Sequence, residues 1–168
     1  SLEPLGGLTN LRDLYLANNN GAISNLMPLG ALPNLVKVDF RNDARLGSIS
    51  SIKGISRSKS IKSLHLPHNK IKDISELAEM KQLEVLSINH NPISDISVLS
   101  SLTNLKKLYM GGGETEVRDY SPISNLLNLE VLTCDGTEKG PIESLGFLAG
   151  LQKLHTVHIN YASLNNFE

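Results

Sequence analysis

Apolar residues follow one recurring frame along the whole chain. In Leu83-Glu-Val-Leu86-Ser-Ile88-Asn-His-Asn91, apolar residues stand at the first, fourth and sixth positions and an Asn at the ninth. The same frame starts at residues 11, 35, 61, 83, 105, 129 and 154, at intervals of 24, 26, 22, 22, 24 and 25 residues. A repeat of this length indicates structural units that stack and share one continuous core.

Each copy changes its periodicity in the middle. The alternation in Leu86-Ser-Ile88 is typical of a strand with one buried face. From Ile93 onward the apolar residues come at every third position, which favours a tight helical turn of about three residues. One strand and one such return make a coil, and the strands of stacked coils form a parallel sheet. The predicted strands lie near 12–18, 36–42, 62–68, 84–90, 106–111, 130–135 and 155–160.

The amino-acid sequence of the repeats resembles that of a known family. Asn69-Lys-Ile-Lys-Asp-Ile-Ser75 and the segment from Asn91-Pro-Ile-Ser-Asp to Leu105 are similar to the 22-residue subclass of leucine-rich repeats. That subclass occurs in bacterial internalin-like surface proteins and in eukaryotic phosphatase-regulatory proteins. The resemblance covers the whole chain, and Thr-Asn-Leu at residues 9–11 and 103–105 favours the bacterial branch.

The resemblance implies an α/β repeat fold: a right-handed leucine-rich-repeat solenoid with a concave parallel β-sheet and a convex side of short 3₁₀ or helical turns. Residues 1–168 are then a single domain of about seven repeats that starts and ends mid-repeat. It also implies a module for protein–protein interaction and not an enzyme.

The Asn position has a structural explanation. An amide side chain in the bend after the strand can satisfy backbone groups of neighbouring coils. Asn69 and Asn91 fit this role, as do Asn19 and, in part, Asp43. Later copies carry other residues there, so we expect the ladder to loosen in the second half; these are Gly113, Thr137 and Ala162.

The intervals longer than 22 residues arise in one place. Every additional residue falls in the loop that leaves a strand, so the insertions line up along one edge of the solenoid. Such an edge is often a binding edge, although surface loops also tolerate changes of length at little cost. The loops are Asn18–Ala22, Asp43–Ser48, Gly111–Glu116 and Gly136–Gly140.

The candidate binding residues come from two outward-facing positions of the frame. The first is the residue between the two apolar strand residues, and the second is the residue before the Asn position. Tyr and His are concentrated in them, and both combine an apolar body with a polar tip that suits an interface. The alternative is a set of ordinary solvated polar residues on an open sheet face. The candidates, all assigned to the concave face, are Tyr15, Asp39, His65, His68, Ser87, His90, Tyr109, Thr133, His158 and Tyr161.

Three of these imidazoles are predicted to lie close together, namely His65, His68 and His90. Three imidazoles can bind a transition metal, but no carboxylate or cysteine completes the set, so we expect neither a metal nor another cofactor. A more modest hypothesis is that protonation near pH 6 changes the affinity for a partner.

Composition narrows the class of partner that the chain can be expected to bind. Sixteen Lys and Arg residues against 17 Asp and Glu residues leave no basic surplus, which argues against nucleic acid. No apolar run is long enough to cross a bilayer. The single cysteine, Cys134, stands at a buried strand position, and Gly111-Gly-Gly113 lacks the spacing of a nucleotide-binding loop. The expected partner is therefore another protein.

Two contexts remain open for such a module. The first is the ligand-binding segment of a bacterial surface or secreted protein, whose partner would be a host or matrix protein. The second is a cytosolic scaffold or phosphatase-regulatory type of protein. In either context the chain carries no polar capping element at its ends, so we expect any self-association to use these uncapped ends.

Overall fold

The computed structural model describes residues 2–18, 23, 25–42 and 48–164. Within these residues, parallel strands form one seven-stranded sheet whose spatial order is the chain order. The strands are β1 Asp13–Tyr15, β2 Lys37–Asp39, β3 Ser63–His65, β4 Val85–Ser87, β5 Lys107–Gly111, β6 Val131–Asp135 and β7 Thr156–His158. The predicted repeat solenoid is confirmed.

The sheet register follows the repeat frame. The apolar residue at the centre of each strand pairs with its equivalent in the next strand. Leu86 and Leu108 are 0 % exposed, whereas Leu14 and Val157 on the outer strands are 8 % and 43 % exposed. The inward positions of the frame are therefore the core positions, and each coil is buried by its neighbours on both sides. The paired residues are Leu14, Val38, Leu64, Leu86, Leu108, Leu132 and Val157.

The return segments are 3₁₀-helical, as the spacing by three predicts. The backbone N–H groups of Leu99, Leu102 and Leu105 each donate to the carbonyl three residues earlier, at 2.9, 2.9 and 3.0 Å. The 3₁₀ segments are Glu3–Gly7, Met27–Ala31, Ile55–Arg57, Ser75–Glu79, Ser97–Ser101, Ser121–Asn125 and Gly146–Leu148.

An aspartate fixes the entry to three of these returns. The carboxylate of Asp95 accepts the backbone N–H of Ser97 at 2.8 Å, and Asp73 and Asp119 make the equivalent bond at the same distance. Such a side chain satisfies a donor that a short helix leaves without an internal partner. This bond explains why Asp recurs two residues before Ser in these coils.

The strands are shorter than predicted, because the chain bends earlier. β3 and β4 end at His65 and Ser87, and His68 and His90 adopt a left-handed conformation with φ of 56°. Hydrogen bonds between coils nevertheless continue past the strand ends, as where the His68 N–H donates to the Asn89 carbonyl at 3.0 Å. The predicted strands near 62–68 and 84–90 are therefore too long, since His68 and His90 lie beyond the strand ends.

The predicted asparagine ladder joins the central coils. Asn91 is 0 % exposed, and its Nδ2 donates to the carbonyls of Leu66 and Ile88 at 2.9 and 3.0 Å. Its Oδ1 accepts the N–H of Ile71 at 3.0 Å. Asn69 bonds in the same way one coil earlier, to the Phe40 carbonyl among others. Asn19 and Asp43 lie outside the described residues.

Threonines continue the ladder where the asparagines stop. Thr115 is 3 % exposed and its hydroxyl donates to the Asn91 carbonyl at 2.9 Å, while the Thr137 hydroxyl donates to the Thr115 carbonyl at 2.7 Å. Thr137 stands at the Asn position, but Thr115 lies two residues beyond it, after Gly113. A hydroxyl offers fewer bonds than an amide, so the ladder loosens in the expected half without ending.

Cys134 and Tyr120 are among the core residues that depart from the aliphatic pattern. Cys134 is buried, and burial raises the pKa of its thiol to about 12, which keeps it protonated and confirms a packing role. Tyr120 stacks on Phe147 with ring centroids 5.6 Å apart, and among the described residues its buried hydroxyl has no hydrogen-bond partner.

No helix in the described part of the chain is long and apolar enough to cross a membrane.

Candidate functional site

One candidate set forms an unbroken row across the sheet. Each member pairs with the next member in the neighbouring strand, so the side chains stand side by side on the face opposite the core. Successive members are about 4.8 Å apart, the spacing of hydrogen-bonded strands. We call this set the sheet-face row: Tyr15, Asp39, His65, Ser87, Tyr109, Thr133 and His158.

Exposure along the sheet-face row is uneven. Tyr15 is 58 % exposed, whereas Asp39 and Ser87 are only 3 % and 6 % exposed. The alternating pattern predicts which face a residue occupies, but neighbouring side chains decide how much of it a partner can touch. Asp39 and Ser87 thus offer little contact area, and each is hydrogen-bonded to a nearby side chain, that of Arg41 and of Asn89 respectively.

An ion pair covers Asp39. The Arg41 guanidinium donates to the Asp39 carboxylate through Nε, 3.0 Å from both oxygens. Burial by itself would raise the pKa of the Asp39 carboxyl, but the hydrogen bonds and charge of Arg41, with a smaller contribution from His65, outweigh it and hold the pKa below its ordinary value. The carboxylate therefore stays charged and keeps Arg41 on the sheet face.

A cation also lies beside the exposed aromatic ring of the first strand. Lys37 Nζ is 5.0 Å from the centroid of the Tyr15 ring, within the range of a cation–π contact. Lys37 and Arg41 were missed because the candidates were taken only from the position between the two apolar strand residues and from the position before the Asn. Both stand two positions from Asp39 in the same alternating frame, and that spacing is the signal that could have identified them.

His65 stands half-buried in the same row. Its Nε2 lies 2.9 Å from the Ser63 hydroxyl. Burial lowers the pKa of His65, and the charges of Lys37 and Arg41 add to this effect against the opposing charge of Asp39. At neutral pH His65 is therefore uncharged and presents a polar, hydrogen-bonding edge.

The second candidate set does not lie on the strands. These residues occupy the bend after each strand, and we call them the bend column. His68 and His90 stack with ring centroids 4.1 Å apart and planes inclined by 8°. Tyr161, at the equivalent bend after β7, has φ of 53° and is 69 % exposed. The column comprises Asn18, Asn42, His68, His90, Gly112, Gly136 and Tyr161.

Glycine interrupts the bend column between His90 and Tyr161. Gly112 has φ of 71°, and a Cβ atom added there would lie 2.9 Å from His90 Cε1. At Gly136 an added Cβ would lie 2.5 Å from the Tyr161 carbonyl oxygen. The close approach of these neighbours explains why the two positions hold glycine, and it leaves the column without side chains for two coils.

A groove opens at this interruption, along the loops after β5 and β6. Its volume is about 740 Å³. These are two of the four loops in which the sequence places its insertions, whereas the loops near 18–22 and 43–48 lie largely outside the described residues. We call it the loop groove; it is lined by His90, Gly112, Gly113, Glu114, Thr115, Asp135, Gly136, Thr137, Glu138, Lys139, Asn160 and Tyr161.

The three histidines do not form a metal centre. The rings of His68 and His90 lie parallel and stacked, and His65 is bonded to Ser63 on the strand. Among the described residues, no group of three or more His, Cys, Asp or Glu side chains is arranged to hold a metal ion.

Comparison with known proteins shows which protein family has this architecture. The model of the family described as "Leucine Rich repeats (2 copies)" matches residues 59–101 and 81–125. No curated protein sequence matches the chain. The fold and the uninterrupted sheet face define a leucine-rich-repeat protein.

Solved structures make the assignment narrower. Internalin C2 of Listeria monocytogenes is 31 % identical, with a TM-score of 0.82 over 96 % of this chain and 68 % of that one. Internalin F of the same organism is 26 % identical, with a TM-score of 0.69 over 95 % of this chain and 51 % of that one. The protein of the TLR13–ssRNA13 complex is less similar in sequence, at 23 % identity with a TM-score of 0.74 over 99 % of this chain and 27 % of that one, and it shares the fold alone. The chain belongs to the internalin-like leucine-rich-repeat proteins.

Proposed function

We propose that the chain binds another protein through the sheet-face row, as the ligand-binding segment of a bacterial internalin-like surface or secreted protein, and that it is not an enzyme. The observation that carries the proposal is the side-by-side pairing of the row from Tyr15 to His158. A row on one rigid sheet presents its side chains without first having to order them, and this lowers the entropic cost of binding.

Within the row, Tyr15 and Tyr109 are the expected anchors. Tyr is enriched among the residues that dominate binding energy, and Tyr15 is the more exposed of the two. Four strand spacings separate them, or roughly 19 Å, which fits within an interface of ordinary size. Loss of one anchor should weaken binding by about 5- to 30-fold, corresponding to about 1–2 kcal/mol.

The experiment is a paired capture from host-membrane and cytosolic extracts. One bait is the unmodified chain, and the second carries alanine at Tyr15, His65, Tyr109 and His158. A matched control bait carries alanine at four residues of the opposite side, namely Lys53, Arg57, Glu79 and Lys81. A partner held by the first and control baits but lost by the second supports the sheet-face row.

The compartment of that partner decides between the two contexts. A membrane or matrix protein supports the surface role, and a cytosolic one supports the alternative of a cytosolic scaffold or phosphatase-regulatory type of protein. A partner held equally by all three baits would contradict the sheet-face row as the binding site.

A further inference from the structure

We propose that the sheet face carries a second contact area, formed by Val85, Lys107 and Val131, which binds a segment of the protein partner where a carboxylate lies between apolar side chains. Tyr109 of the sheet-face row borders this area. The inference rests on the proposed function, because it names the chemistry of the partner over the central part of the same sheet face.

The three residues belong to one line of paired positions. Each stands two residues before a member of the sheet-face row, so the two-residue period of a strand places it on the same face. Within this line, Lys107 pairs with Val85 on one side and with Val131 on the other. We call the line the flanking row: Asp13, Lys37, Ser63, Val85, Lys107, Val131 and Thr156.

Apolar surface is concentrated around Lys107. Val85 and Val131 are the two aliphatic members of the flanking row, and each is partly exposed. Two strand spacings, or roughly 10 Å, separate them. Tyr109 is also partly exposed and stands two residues, or roughly 7 Å, along the strand from Lys107. Apolar and aromatic side chains thus border Lys107 on three sides.

The charge of Lys107 is not compensated within the sheet. The residue is exposed, and no ion pair or hydrogen bond of its ammonium group is found within the described residues. The preceding residue differs, since Lys106 Nζ donates to Glu84 at 2.9 Å. Valines occupy the positions opposite Lys107 on both neighbouring strands, so neither strand places a carboxylate there.

Two other cations on the sheet face already have partners. Arg41 donates to the carboxylate of Asp39, and the Lys37 ammonium lies beside the Tyr15 ring. In the described part of the chain, the uncompensated sheet-face cation therefore lies inside the apolar surface of the central strands. This complementarity points to a carboxylate on the partner.

The two features together select the chemistry of the partner. A purely apolar segment that covered Lys107 would remove water from its ammonium group without replacing the lost hydrogen bonds, which costs free energy. A carboxylate in the segment supplies both hydrogen bonds and the opposite charge. A segment with a carboxylate but no apolar side chains would leave the valine surfaces in water. A segment with both is therefore favoured over a segment with either alone.

The test uses short peptides as probes and nuclear magnetic resonance of the methyl groups of the whole chain as the readout. Acetyl-Leu-Gly-Glu-Gly-Leu-amide presents its three side chains on one side when it is extended. Titrated at millimolar concentrations and pH 7.5, it should shift the methyl signals of Val85 and Val131 and the ring signals of Tyr109.

Two altered peptides separate charge from apolar contact. Replacing the central Glu of the peptide by Gln should weaken binding about two- to fivefold, the range of an exposed ion pair. Replacing both Leu residues of the peptide by Ala should weaken binding about fivefold, because less apolar surface leaves water.

Variants of the chain assign these effects to residues. Lys107→Gln should equalise the Glu and Gln peptides, and Lys107→Arg should restore the preference for Glu. The matched control Lys81→Gln alters an exposed lysine outside the sheet and should leave the preference unchanged.

The valines are tested in the same way. Val85→Thr/Val131→Thr keeps the branched shape that suits a strand and should weaken the Leu-containing peptides on the order of threefold. Its control, Val98→Thr, alters a partly buried valine of a 3₁₀ segment and should leave their affinity unchanged.

Several results would overturn the inference: no shift at Val85 and Val131, equal binding of the Glu and Gln peptides by the unmodified chain, or equal effects of Lys107→Gln and Lys81→Gln. These results are distinct from a failure of the proposed function. The peptides report on Lys107 and the two valines, none of which is altered in the capture baits, and the capture experiment reports on the sheet-face row.

Discussion

Replacement of Asn91 by alanine is the sharpest test of how the coils are joined. The side chain is 0 % exposed and supplies a partner to the Ile71 N–H and to the Ile88 carbonyl. The Leu66 carbonyl also loses its bond of 2.9 Å but keeps a longer one of 3.2 Å from Asn69. Alanine thus leaves two buried backbone groups without these partners.

The magnitude follows from those two groups. An orphaned buried donor or acceptor costs about 1–3 kcal/mol, so the two groups together should lower the free energy of unfolding of Asn91→Ala by about 2–6 kcal/mol. Asn104→Ala is the matched control, because Asn104 is exposed and its Nδ2 donates to the Lys81 carbonyl at 2.8 Å. Water can replace that bond, and we expect a loss below about 1 kcal/mol.

The assay is urea unfolding followed by circular dichroism, with amide hydrogen exchange as a local readout. Contacts in a solenoid run between neighbouring coils, so exchange should accelerate most at Ile71 and in the adjoining coils. Equal losses of stability for Asn91→Ala and Asn104→Ala would refute the view that the buried amide joins the coils.

Three further predictions concern the core and the sheet face. Leu86→Asp should lower the free energy of unfolding by more than about 4 kcal/mol, because it buries an unpaired charge. Ser87→Ala should lower it by about 1 kcal/mol, because it removes one hydrogen bond. Equal losses of stability in urea unfolding would mean that the two faces are assigned wrongly. Tyr120→Phe should raise the unfolding free energy by about 1 kcal/mol, since the buried hydroxyl has no partner among the described residues; a lower stability in the same assay would show that the hydroxyl is satisfied. The pKa of His65 is lowered in the folded chain, so as the pH falls through about 6.5 the unfolded chain takes up a proton before the folded chain does. The free energy of unfolding should therefore fall from pH 7.5 to 5.5. An equally steep fall in His65→Gln would contradict this assignment.

The fold could be predicted because each coil repeats the same physical requirement. Leu86 and its equivalents must be buried, and the alternation around them leaves one choice of face. The role of Asn91 was predictable for a similar reason, since a bend that buries backbone groups needs a side chain to satisfy them.

The details of the candidate site depend on contacts that periodicity does not encode. Asp39 occupies the predicted face, but the nearby Arg41 covers it. His68 and His90 were expected on strands, and their left-handed conformation turns them into a stacked pair beyond the strand ends. Thr115 joins the ladder two residues after the position that the frame assigns to an Asn, because the stretch from Gly113 to Val117 holds two residues more than that from Asn91 to Ile93.

The chain-order pairing of the strands also makes the sheet a measuring scale. Each coil advances the sheet-face row by one graduation of about 4.8 Å, and each graduation carries a single side chain. Adding or removing one complete coil between Tyr15 and Tyr109 would change their separation by one graduation while leaving every coil with the same kind of neighbour. The number of coils therefore sets the distance at which two contact points on a partner are matched, independently of the identity of the residues that make the contacts.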